Sequence, residues 1–137
     1  MKPRYLLDTN IVSYILKGVP SGIRQRVDEK PSETLAISAI TAAELHYWIA
    51  KRPSQSRIRF HIEDFLLRVP TLPWDAEVAA IHGELKARLL EIGRPLAELD
   101  MQIAAHALAL NLILVTHDAA FKQVPDLQIE DWATATH

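Results

Sequence analysis

The sequence predicts an α/β fold, with a parallel sheet covered by helices on both faces. Short apolar runs alternate with amphipathic segments along the 137 residues, the pattern of repeated strand–helix units. One run, Leu112-Ile113-Leu114-Val115-Thr116, is almost continuously apolar, as a central parallel strand buried on both faces should be. Polar residues stand where such runs stop: Asp8, Ser38 and Thr116 all fall at strand ends, which in an open parallel sheet is the rim where ligands bind.

Taken in order, Tyr5-Leu6-Leu7 reads as a buried strand bounded by Asp8-Thr9-Asn10. Ile11 to Lys17 reads as a short helix, with Gly18 as its stop and Pro20 beyond. A second amphipathic piece, Ile23 to Lys30, ends at Pro31. Leu35-Ala36-Ile37-Ser38 is the next strand, and Thr41-Ala42-Ala43-Glu44 opens a helix to about Lys51. Pro53 separates that helix from another of roughly Ser56 to Val69. Pro70 and Pro73 bracket a short extended piece ending at Trp74. Asp75 starts a long amphipathic helix with Val78, Ile81, Leu85 and Leu89 on one face, closed by Gly93. Arg94-Pro95 leads to the helix Glu98 to Leu110, then to the strand at 112–116, and Leu127-Gln128-Ile129 forms a last edge strand. No repeat or linker interrupts the pattern, so residues 1–137 read as a single domain.

Hydrophobic residues make up 49% of the chain, enough for a core without covalent staples. The absence of cysteine excludes disulfides and thiolate metal sites. Met1 to Leu7 carries two basic residues and too few apolar ones for a signal peptide, and no run approaches a membrane span of ~20 residues. The expectation is a cytoplasmic protein with no membrane partner. A net charge of −2 does not mark a nucleic-acid binder. Charge is nevertheless uneven: Lys51, Arg52, Arg57 and Arg59 lie between Glu44 and Glu63 with no acid among them, either a solvated surface or a phosphate-facing rim.

Four acids are candidates for chemistry, and each has a competing structural use. Asp8 places a carboxylate at the mouth of the sheet, where it can meet a cation or cap the following helix. Glu44 shares that rim, but Thr41-Ala42-Ala43-Glu44 also matches a capping box. Asp100, in the first turn of its helix, suits the helix dipole; Ala104 and Ala107 would let that helix lie close to the sheet and bring Asp100 towards the other acids. Glu98 points elsewhere on the helical wheel. Asp118 follows the clearest strand and can cap the segment Ala119 to Lys122. Thr116 offers a hydroxyl to a water or a carboxylate. Carboxylates gathered on one rim repel unless cations neutralise them. Hard oxygen ligands favour Mg²⁺ or Mn²⁺, which can activate water and stabilise a leaving oxygen in phosphodiester cleavage.

The six histidines, His46, His61, His82, His106, His117 and His137, show no tight metal-ligand spacing. His82 and His106 read as packed or surface helix residues, and His117 stands beside the acids, a candidate for substrate contact rather than a metal ligand. There is no Gly-rich phosphate loop. Tyr47 and Trp48 flank apolar neighbours on one helix, suiting either the core or a groove for a partner helix.

These residues resemble a known pattern. Leu7-Asp8-Thr9-Asn10, Ser38-x-x-Thr41-x-x-Glu44-Leu45, Asp100 with Ile103-Ala104-Ala105-His106-Ala107, and Val115-Thr116-His117-Asp118 with Phe121 look like the PIN-domain family. Val124-Pro125-Asp126-Leu127, then Glu130-Asp131-Trp132, is similar to the VapC toxins of bacterial toxin–antitoxin pairs. The resemblance covers nearly the whole chain in order. It implies a three-layer α/β/α sandwich with a central parallel sheet, and Mg²⁺-dependent endoribonuclease activity on RNA, in some relatives tRNA. It implies metal-site roles for Asp8, Glu44, Asp100 and, at the family's variable fourth position, Asp118. Asn10 and Thr116 would orient ligands or substrate. It further implies a homodimer inhibited by a VapB-like antitoxin. Ala97 stands where relatives often have Gly. Two other readings share the placement of acids at strand ends: a phosphoryl-accepting signalling domain, and a catalytically silent RNA- or partner-binding module.

Overall fold

Five short strands supply the sheet: β1 (Tyr5–Leu7), β2 (Leu35–Ser38), β3 (Thr71–Leu72), β4 (Ile113–Val115) and β5 (Ile129–Glu130). In the computed structural model, which describes residues 2–134, they pair in parallel in the order β3-β2-β1-β4-β5. His137 lies outside the described residues. The helices are α1 (Thr9–Lys17), α2 (Ile23–Asp28), α3 (Ala39–Ala50), α4 (Arg57–Arg68), α5 (Ala76–Glu91) and α6 (Glu98–Leu110). Each matches a segment expected from the apolar periodicity, with ends moved by a few residues. Among the described residues, no helix is long and apolar enough to cross a membrane.

Strand alternation divides the core in two. Leu6, Ala36 and Leu114 face α5 and α6, in one cluster with Leu85, Leu89, Ile103 and Phe121. Leu7, Ile37 and Val115 face the opposite way, against Ile11, Ile23, Leu45 and Ile62 of α1 to α4. This is the three-layer sandwich. Ala104 and Ala107 are fully buried in the first cluster, so their small side chains do let α6 lie against the sheet.

The strand order reverses at β1: the chain moves from it to β2 and β3 on one side, and returns to β4 and β5 on the other. That switch point opens a crevice beyond the carboxyl ends of β1 and β4. α1 and α3 start directly from the ends of β1 and β2. α6 runs down into the start of β4, so its first turn lies towards the same rim.

The basic stretch is not on that rim. α3 leaves the rim at Ala39 and its 12 residues carry the chain ~18 Å away from it. At that far end Arg59 pairs with Glu63 at 3.0 Å, and Arg52 donates to the Trp48 carbonyl at 2.9 Å. The solvated-surface reading therefore holds for Lys51, Arg52, Arg57 and Arg59. Trp48 is half-buried against the α1–α4 core, whereas Tyr47 is exposed under the Lys51 ammonium.

Leu6 pairs with both Ala36 and Leu114 and has no exposed surface. Leu6→Ala is expected to remove about 2–5 kcal/mol of unfolding free energy in urea titration. A loss under ~1 kcal/mol would contradict this packing.

Candidate active site

Asp8 is the most constrained group on the rim. It occupies the position before α1, but its side chain does not cap that helix. Only 3% of the residue is exposed. Thr116 Oγ1 donates to Asp8 Oδ2 at 2.8 Å, and the Asp118 amide donates to the same Thr116 hydroxyl at 3.1 Å. The backbone reinforces the join, since the Asp8 amide donates to the Val115 carbonyl at 3.0 Å. The ends of β1 and β4 are thus locked through the side chains that the sequence places there. Thr116 acts on a carboxylate, as one of its two expected uses.

Asp100 reaches the rim from the first turn of α6 and is half-buried. Asp118 is exposed and has a structural use, since its Oδ1 accepts from the Ala120 amide at 2.9 Å to cap the 3₁₀ turn Ala119–Gln123. Its charge still acts on its neighbours. Burial pushes the Asp8 carboxyl above its ordinary range; the Thr116 hydroxyl and Thr9 amide oppose this, while the charges of Asp100 and Asp118 add to it. Burial, then the charge of Asp118, likewise raises Asp100. The leading charges acting on both acids are those of other acids.

Glu44 is the outlying member, and its capping box does not form. Ser38 caps α3 instead, accepting from the Ile40 amide at 3.1 Å. A strand-end serine directly before the helix pre-empts the threonine three residues later. Thr41 is consequently inside the helix, its hydroxyl 2.9 Å from that of Thr9. Glu44 lies one turn beyond Thr41 and is half-exposed, and it is not among the charges that act on Asp8 or Asp100. Asn10 is exposed in the first turn of α1. Glu98 is engaged away from the rim, within 3.0 Å of both Lys86 and His82.

Asp8, Asp100 and Asp118 therefore share one electrostatic neighbourhood, while among the described residues no three acidic or histidine side chains stand close enough to enclose an ion. The chemistry of the donor set fits a hard divalent cation: every candidate ligand is a carboxylate oxygen, and the leading charges on Asp8 and Asp100 repel rather than relieve them. Asp100, Asp118 and Glu44 each retain exposed surface. The amino ends of α1, α3 and α6 add partial positive charge at the same rim, which favours both carboxylates and phosphate.

Two features were not legible as chemistry in the sequence. His106 is wholly buried, with Nδ1 2.9 Å from Ser38 Oγ, so one serine both caps α3 and ties β2 to α6. Burial lowers the His106 pKa against the opposing charge of Asp75 and the Pro73 backbone. His117 pairs with a different acid and meets the Tyr14 ring edge-on. Its Nδ1 lies 2.8 Å from Asp131 Oδ2, which also accepts from Thr134 Oγ1 at 2.6 Å. Partial burial opposes the charge of Asp131, but hydrogen bonds from Thr134, His117 and the Ala133 amide outweigh it and hold the carboxyl below its usual range. Ala97, before α6, has an ordinary negative φ of −57°, so its side chain fits the loop without strain.

Residues 5–127 match the model of the PIN domain. "Ribonuclease VapC2" of Haemophilus influenzae is 39% identical over 94% of this chain and 98% of its own length. "tRNA(fMet)-specific endonuclease VapC" of Shigella flexneri is 35% identical over 95% of this chain and 98% of its own. Among solved structures, a chain of DNA-bound VapBC from Salmonella typhimurium superposes with TM-score 0.86 at 34% identity, over 95% of this chain and 98% of that one. A chain of VapBC2 from Rickettsia felis bound to a promoter DNA fragment gives TM-score 0.83 at 32% identity, over 93% and 98%.

The raised carboxyls set a sign for pH dependence. A folded-state pKa above the unfolded value means that ionisation penalises folding. The penalty is absent below the ordinary carboxyl range, where both states are protonated, and complete above the raised value. Asp100→Asn should therefore raise Tm by a few degrees at neutral pH, with the gain vanishing below about pH 3.8. Equal or lower Tm for Asp100→Asn at pH 7, in chelator, would show that the acids do not strain one another.

Proposed function

The chain belongs to the PIN-domain family and, within it, to the VapC proteins, and from that premise we propose that it is a Mg²⁺-dependent endoribonuclease, the toxin of a type II toxin–antitoxin pair. The observation that carries the metal-dependent reading is the set of converging carboxylates: the main charges acting on Asp8 are those of Asp100 and Asp118, and the main charge acting on Asp100 is that of Asp118. A silent binding module has no use for that repulsion. A phosphoryl-accepting domain needs a lysine beside its aspartate, and among the described residues no lysine forms a salt bridge with Asp8.

Asp8, Asp100 and Asp118, with Glu44 turning in from α3, would hold Mg²⁺, for which Mn²⁺ can substitute. When bound, the ion supplies activation of water and neutralisation of charge at the scissile phosphate. The protein's own groups do the positioning. Thr116 fixes one oxygen of Asp8 and so orients the other. The amino end of α1 presents exposed Asn10 to the substrate backbone. Asp118 is braced at its backbone by Thr116 and at its side chain by Ala120, which suits a supporting role more than a freely moving ligand.

The substrate class put first is tRNA, because the Shigella flexneri relative is named for cleaving one. The partner is a VapB-like antitoxin, because the similar solved chains come from VapBC complexes. A homodimer and a cytoplasmic setting complete the reading.

Purified protein with Mg²⁺ should cut a tRNA pool at discrete positions, and chelator should stop it. Asp8→Asn should lose cleavage while keeping its circular dichroism spectrum. Mg²⁺ should raise the Tm of the native chain and leave that of Asp8→Asn unchanged. Folded Asp8→Asn that cuts normally would refute the assignment.

A further inference from the structure

We infer that His117, together with Tyr14, forms a stacking platform for the RNA base flanking the cut site; this rests on the ribonuclease reading above. Its position is the first reason. His117 lies between Thr116 and Asp118, which brace the acid cluster, and its ring sits on the α1 side of the rim. There the Tyr14 ring of α1 meets it edge-on, with centroids 6.1 Å apart. A strand bound over the rim at the acids must continue past one face or the other. On the α1 face this pair offers an aromatic surface next to the acids in sequence, at the residue between Thr116 and Asp118.

The bracing is the second reason. The His117 side chain is 52% exposed, where a ring ordinarily rotates freely. Asp131 instead holds its Nδ1, and Asp131 is itself held by Thr134 Oγ1 and, at Oδ1, by the Ala133 amide at 2.9 Å. The segment is anchored in turn by buried Trp132, packed edge-on against Tyr5, and by Arg26 donating to the Thr134 carbonyl at 2.7 Å. An exposed ring held this firmly is preorganised for contact. The partner's charge decides the kind of contact. A carboxylate at Nδ1 repels phosphate, whereas the open face of the ring accepts any base by stacking.

The test is steady-state cleavage of a short single-stranded RNA by native protein, His117→Ala and His117→Phe with Mg²⁺, using substrates with or without an abasic nucleotide beside the cut. His117→Ala should raise KM by about tenfold with kcat little changed, and His117→Phe should restore KM. The abasic substrate should impose a similar loss on the native protein and almost none on His117→Ala. Unchanged KM in His117→Ala, failure of Phe to rescue, or additive losses would overturn the platform. Absence of cleavage by the native protein on RNA of any kind would instead overturn the ribonuclease reading, and the platform with it.

Discussion

The arrangement depends on one buried carboxylate with too few partners. Asp8 is almost sealed from solvent at the end of the central strand, with the hydroxyl of Thr116 as its side-chain partner. Burial alone disfavours its charge, and two neighbouring acids disfavour it further. A fold optimised only for stability would place an amide or an arginine there. Keeping the acid makes sense if its counter-charge comes from outside the chain. The surroundings follow from the same constraint: β4 must lie beside β1 to supply Thr116, and α6 must lie close to the sheet to bring Asp100 within reach.

Much of this was legible in the sequence, because the forces involved leave local traces. Strands buried on both faces must be apolar throughout, which exposed Tyr5–Leu7 and Ile113–Val115. Strand ends then located Asp8 and Thr116, and the alanines of α6 pointed to close packing near Asp100. The misread features are those where two local rules compete. Thr41 and Glu44 have the spacing of a capping box, yet Ser38 stands at the strand-to-helix junction and takes the cap first. The cluster of Lys51, Arg52, Arg57 and Arg59, by contrast, reads correctly as a solvated surface, and the direction of α3 carries it away from the rim.

Other features left no trace, because they join distant residues whose types carry no individual signal. The contact between Ser38 and His106 spans 68 positions and binds a cap to a helix face. A histidine in an apolar helix is compatible with many environments. Only the register of β2 against α6 shows that this one closes the core just below the rim. Likewise, Glu44 lies on the expected rim but outside the tight electrostatic group. Membership of that group is decided by side-chain reach, which sequence position does not encode.

The two faces of the sheet divide the work at the active rim. Thr116 donates to Asp8, while the next residue, His117, meets Tyr14 on the α1 side. The acid cluster and the proposed base platform thus stem from consecutive residues just beyond β4. The proposed RNA substrate would use both, because its phosphates and bases project in different directions from one backbone. Neither face can move relative to the other without breaking the β1–β4 pairing that buries Asp8. The rigidity that strains the carboxylate therefore also sets the distance between the two kinds of contact.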